Sequence, residues 1–155
     1  MTIYNRFAGD PAVTITPDGA KMKFINGQPV VDQGLENAVL ISLFTRRGYW
    51  GNSLISEESK KIGSDVEVTA LEPIVSIQSV NNMTDAIDRA LKWMTDTKLS
   101  QDNDITVTNP SSNNLRATIK ITPPGRDSQT LLFLKNGLNW IGQALNPAHT
   151  RMKSI

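Results

Sequence analysis

The sequence predicts an α+β fold in which two main helices pack on small antiparallel sheets, and three observations point to it. Residues 32–51, DQGLENAVLISLFTRRGYWG, hold a helical stretch that is apolar nearly all round. A second stretch, residues 82–94, is amphipathic at helical spacing. Short alternating runs bounded by turn residues precede the first helix and follow the second.

In the first helix Leu35, Ala38, Val39 and Leu43 keep i, i+3, i+4, i+8 spacing and mark one buried stripe. Leu40, Ile41 and Phe44 carry the apolar surface around the cylinder. Burying the large side chains of this rod yields roughly 9–18 kcal/mol, while ordering its backbone and side chains costs about 15 kcal/mol. The rod is therefore expected to be covered on most sides, with Asp32 as its N-cap.

Upstream, AVTIT (12–16) and KMKFI (21–25) flank Pro17-Asp18-Gly19 and predict a hairpin, because proline fixes φ and glycine accepts φ > 0. Asn26-Gly27 adds a second tight turn before residues 28–31, giving an N-terminal meander that feeds the helix. Residues 52–82 are the least legible: a solvated run with Glu57, Glu58, Lys60 and Lys61 leads into 66–80, which Pro73 interrupts and which suits helix or strand equally. Next, Met83, Ala86, Ile87, Ala90, Leu91 and Met94 predict the second helix, with Asn82 as N-cap and Trp93 at its edge.

Three strands follow, DITVT (104–108), LRATIKIT (115–122) and TLLFL (130–134), joined by NPSSNN and PPGRDSQ as turns. The middle run sets Leu115, Ala117, Ile119 and Ile121 against Arg116, Thr118, Lys120 and Thr122, so one sheet face is expected to meet water or a partner. Leu138, Ile141, Gly142 and Leu145 predict a short C-terminal helix before Pro147. The expected organisation is one domain over residues 1–155 with a flexible tail at 146–155.

The inventory of side chains excludes much chemistry. The chain has no cysteine, so disulfides, thiolate metal sites and thiol nucleophiles are ruled out, and its one histidine, His149, stands in a polar tail. Asp102-Asn103-Asp104 lacks the glycine and distal glutamate of a calcium loop and reads as a solvated turn. No catalytic, cofactor-binding or metal-binding residue is expected. Sixteen basic and fifteen acidic residues balance to a net charge of +1, which draws the chain to neither nucleic acid nor anionic lipid. No stretch approaches the roughly 20 apolar residues of a membrane span, and residues 1–10 have no signal-peptide core, so a soluble protein made without export is expected.

A β-meander, then D-x-G-L-E-N-A-V-L-I-S-L-F-T from Asp32 to Thr45, then R-R-G-Y-W-G from Arg46 to Gly51, and a later A-L-K-W helix leading into a C-terminal meander resemble the Mu-type phage baseplate wedge proteins. That family is related to the small wedge protein of T-even phages, which carries a lysozyme-like label, and to its type VI secretion counterpart. The resemblance is specific over about residues 28–51 and architectural elsewhere. The broader family's Glu-Pro-Arg tripeptide has no counterpart, since the comparable position reads Met94-Thr95-Asp96-Thr97.

The resemblance implies a structural, non-enzymatic part of the virion tail baseplate, assembled in the host cytoplasm and present in six copies. It would bind wedge core proteins and nucleate the tail sheath protein by strand pairing, with no small-molecule substrate. A tailocin, an extracellular injection device or a type VI apparatus is the alternative setting. Candidate partner-binding residues are Arg46, Arg47, Tyr49 and Trp50, the residue types that concentrate interface energy, and Leu131, Leu132, Phe133 and Leu134, read as a strand edge. As alternatives, the arginines answer the helix dipole, Tyr49 and Trp50 belong to the core, and the TLLFL run is an interior strand. For glycoside hydrolysis the candidates are scarce: Glu36 stands in the first helical turn, which favours the ionised form, Glu57 and Glu58 adjoin lysines, and Glu67 and Glu72 flank apolar residues in the least legible segment.

Overall fold

The computed structural model describes residues 9–32, 34–71, 77–136, 139–144 and 149–151. The order of elements is β1 (Asp10–Pro11), β2 (Val13–Thr16), β3 (Gly19–Met22), β4 (Phe24–Ile25), β5 (Gln28–Asp32), α1 (Glu36–Phe44), α2 (Val66–Leu71), α3 (Ile77–Asp96), β6 (Asp102–Ser111), β7 (Asn114–Thr122), β8 (Gln129–Asn136), β9 (Asn139–Ala144) and β10 (His149–Arg151). Two 3₁₀ turns, Trp50–Leu54 and Glu58–Lys60, lie between α1 and α2. The α+β prediction holds.

The N-terminal meander forms as its turns demand. β2 and β3 pair around Pro17-Asp18 with Thr16 opposite Gly19, whose φ is +110°. Asn26 and Gly27, at φ +50° and +75°, close β4 on β5 as a two-residue hairpin of the primed type. β5 is the hub of this region, pairing with β1, β4 and β10. His149–Arg151 therefore forms a strand within the stretch expected to be a flexible tail, lying against Asp32, Val31 and Val30.

The C-terminal sheet is an antiparallel meander in the order β6-β7-β8-β9, four strands where the sequence predicts three. Period 2 fixes its faces. Leu115, Ala117, Ile119 and Ile121 of β7 and Leu131 and Phe133 of β8 are buried, while Arg116 and Lys120 face outward. The connection over residues 109–114 is tighter than expected: β6 continues through Pro110 to Ser111, and Asn113 turns the chain at φ +66°. Asp102-Asn103-Asp104 correspondingly opens β6 rather than forming a turn, with Asn103 Nδ2 donating to the Leu91 carbonyl at 3.2 Å.

The helix expected near the C-terminus is strand β9 across its described residues. Ile141 and Gly142 fit either period on paper, but Trp140 pairs with Lys135 on the inner face and Gly142 faces Phe133, which is strand alternation. A Cβ on Gly142 would stand 2.7 Å from Phe133 Cε1, so glycine is what lets that ring lie under β9. Lys135 shares this inner face, and burial pushes its ammonium pKa down.

α1 and α3 cover the inner face. Phe44 meets Phe133 and Trp140 with ring centroids 5.7 and 5.8 Å apart, and α3 packs beside β6. Met83, Ala86, Ile87, Leu91 and Met94 are buried as their spacing predicts. α3 begins at Ile77, however, so Asn82 lies inside it and is not its N-cap; Val80, three residues before Met83, already packs on the core and extends the helix backwards. Of α1, Val39, Leu40 and Leu43 are buried and only Ile41, 53% exposed, opens to solvent, so the rod is covered on most sides.

Asp32 serves α1 from a distance. The helix starts at Glu36 with Leu35 at the cap position, yet the Asp32 carboxylate accepts from Gly34 N–H at 2.9 Å and Asn37 N–H at 2.8 Å. Asp32 ends β5 and is 4% exposed, so one side chain joins strand to helix and satisfies two amides. Asp32→Ala is expected to cost about 1–2 kcal/mol in chemical denaturation, with Asp32→Asn recovering part of it.

Candidate functional site

The chain leaves α1 through Thr45, whose N–H still donates to the Ile41 carbonyl, and the next residues are held by Ser64. Ser64 N–H donates to the Thr45 carbonyl at 2.8 Å, its Oγ donates to the Leu43 carbonyl at 2.6 Å, and the same Oγ accepts from Val66 N–H at 3.3 Å. Buried Ser64 thus closes the end of α1 and opens α2. Between these anchors residues 46–63 project as a knuckle.

Half-buried Asn52 joins the two ends of that knuckle. Its Nδ2 donates to the carbonyls of Arg47 at 3.2 Å and Ile62 at 2.6 Å, and its Oδ1 accepts from Ile62 N–H at 3.0 Å. Gly63 permits the close approach: at φ +123°, with an added Cβ only 2.5 Å from the Arg46 carbonyl oxygen, no other residue fits. The Tyr49 ring folds over Gly51, leaving no room for a side chain there.

Trp50 stands out of this frame, 71% exposed, beside Tyr49 at 39%, with their ring centroids 5.5 Å apart. Both lie outside the core, as does Leu54. A concavity of about 570 Å³ opens under the pair, lined by Arg47, Asn52, Glu58, Lys61 and Ile62 among others.

Arg46 and Arg47 lie just past the end of α1, which closes at Phe44 with no basic residue in its last turn. Both are exposed and engage carboxylates of this chain: Arg46 Nε to Glu67 Oε2 at 2.6 Å and Arg47 Nη2 to Asp65 Oδ2 at 2.9 Å. The hydrogen bond that Arg46 donates to the Glu67 carboxylate, then that carboxylate's charge, holds the Arg46 pKa above its usual value. These pairs tie the knuckle to α2 and leave the aromatic pair as its outward chemistry.

The structure brings Arg46, Arg47, Tyr49 and Trp50 together and places Leu131–Leu134 elsewhere. Those four residues are not an edge, since β8 pairs with β7 on one side and β9 on the other. Leu131 and Phe133 are core, Leu132 is half-buried, and Leu134 lies on the outer face beside Ile141. TLLFL has neither charge nor proline because it needs no protection from another chain. The meander's true edges are β9 and β6. β9 is partly covered by β2, where Thr14 Oγ1 donates to the Gly142 carbonyl at 3.1 Å. β6 is ten residues long and, among the described residues, pairs with β7 alone.

The acidic residues are engaged individually. Glu36 is buried against Lys23 at 2.8 Å, Glu58 pairs with Lys61 and Glu67 with Arg46. Hydrogen bonds from Lys60, then Ser59, hold the Glu57 carboxyl below its usual range, the opposite of what a general acid needs. Glu72 lies outside the described residues. Among the described residues no group of three or more histidine, aspartate or glutamate side chains is placed to hold a metal, and no helix is long and apolar enough to cross a membrane.

Sequence reasoning misses the clamp. Asn52, Gly63 and Ser64 fall in the stretch with no periodicity, where Gly63-Ser64 is the one local signal of a forced turn. It also misses Leu54, Val68, Leu71 and Ile77, all exposed. Comparison with known proteins finds no matching family, no matching curated protein and no matching solved structure.

Proposed function

We propose that this chain is a non-enzymatic wedge component of a contractile tail baseplate, binding wedge core proteins through the knuckle at Tyr49 and Trp50. The observation that carries the reading is the exposure of Trp50 on a loop whose backbone is fixed by Asn52 and Ser64. An indole left mostly in water contributes little to the fold, whereas an aromatic anchor on a braced loop suits a protein interface. The resemblance over residues 28–51, which includes the knuckle, supplies the assembly.

Sheath nucleation by strand pairing belongs, on this reading, to β6. Its length and single partner suit β-augmentation, and Asp102, Asp104 and Pro110 keep it from pairing indiscriminately. A proline scan tests this. Of the neighbouring residues Ile105 and Thr106, one amide faces β7 and the other faces the free side. Proline at the free-side position is expected to leave melting unchanged and abolish sheath assembly on purified baseplates; sheaths that assemble normally on that variant would remove β6 from the account.

A further inference from the structure

A second concavity, of about 360 Å³, runs between α3 and residues 59–63, with Trp93, Ala90 and Ile62 as its apolar lining and Lys60, Lys61 and Arg89 as its charged one. Lys61, Ile62 and Gly63 also line the hollow under Tyr49 and Trp50, so a single wall separates the two.

The groove is prepared for an apolar group. Trp93 is 39% exposed, and its indole N–H is already satisfied, donating to Ser42 Oγ at 2.8 Å, while Ser42 in turn donates to the Ala38 carbonyl at 2.7 Å. The ring is fixed from beneath and offers carbon surface, and Ile62, 42% exposed, stands near it.

The groove is also prepared for one negative charge. No carboxylate is among its lining residues. Lys60 and Lys61 are matched by Glu57 at 2.7 Å and Glu58 at 2.6 Å. Arg89 has no carboxylate partner among the described residues, although Asp85 stands one turn before it on the same helix face. Arginine in such a place favours a planar carboxylate.

We infer that this groove docks an extended segment of a partner protein in which a carboxylate stands beside a large apolar side chain. A groove lined by exposed Lys60, Ile62, Arg89 and Trp93, beside the knuckle, suits a chain that passes along the surface. The inference goes beyond the wedge reading and does not depend on it, since it concerns a different surface and names the chemistry of what binds there.

The test uses the full chain, labelled with ¹⁵N, and the acetylated, amidated peptide Gly-Leu-Asp-Phe-Gly. Of the chain's three tryptophans, Trp93 is the reporter and Trp140 the internal control. Titration is expected to shift the Trp93 indole N–H and leave that of buried Trp140 in place. Replacing the peptide's Asp by Asn, or introducing Arg89→Gln, is expected to weaken binding at least about tenfold. Arg89 is exposed, so the variant's melting temperature should match that of the parent. An unmoved Trp93 resonance, equal affinity for the Asn peptide, or equal affinity of the variant would overturn the inference. So would sodium acetate producing the same shift with the same affinity, which would make the groove a small-anion site.

Discussion

Phe133→Ala is expected to lower folding stability by about 3–5 kcal/mol. Phe133 is 1% exposed and holds the layers together: it stands opposite Ala117 of β7 and Gly142 of β9 and meets Phe44 of α1. Its cross-strand neighbours Ala117 and Gly142 are small and cannot fill the cavity. The denaturation midpoint should fall with little change in slope. Phe133→Leu, which keeps most of the volume, should recover more than half of the loss. A loss below about 1 kcal/mol for the alanine variant would mean that α1 does not depend on the sheet for its cover.

Trp50→Ala is expected to behave in the opposite way. The indole is mostly in water, so the melting transition should stay within about 0.5 kcal/mol of the parent. On the proposed wedge reading, binding to wedge core proteins should weaken by about 2 kcal/mol or more, roughly thirtyfold. Tyr49→Ala is a mixed case, because the phenol ring also covers Gly51 and its loss loosens the knuckle. Arg46→Ala and Arg47→Ala should each have small effects on stability, since both pairs are exposed and such pairs contribute about 0–1 kcal/mol. If the arginines bind partners directly, they must exchange Glu67 and Asp65 for new carboxylates, and that exchange returns little net energy.

Elements whose side chains settle their own periodicity were legible in the sequence. β7 alternates cleanly, α3 keeps helical spacing from Met83 to Met94, and Asn26-Gly27 admits little but a primed hairpin turn. β9 was not, because Ile141 and Gly142 fit two periods and only the Phe133 ring beneath Gly142 selects the strand. For the same reason β8 could be taken as an edge: without β9 beside it, TLLFL has an open side. Residue order pointed to Asp32 as the cap but not to its reach, since its carboxylate serves a helix that begins four residues later.

The candidate site divided in a similar way. Tyr49 and Trp50 were visible as residue types that need either a core or a partner, and their exposure favours the partner. The clamp that makes their position rigid was invisible, because Asn52 reaches Ile62 across ten residues of irregular backbone. The groove at Arg89 and Trp93 needed both α3 and residues 59–63 in place before either residue had a neighbour.

The most direct measurement is a map of the assembled particle at a resolution that shows side chains, read at Trp50. The account predicts that in each copy of this chain the indole lies within about 4 Å of carbon atoms of a neighbouring protein. An indole facing solvent in every copy, with the neighbours seated on some other surface, would contradict it.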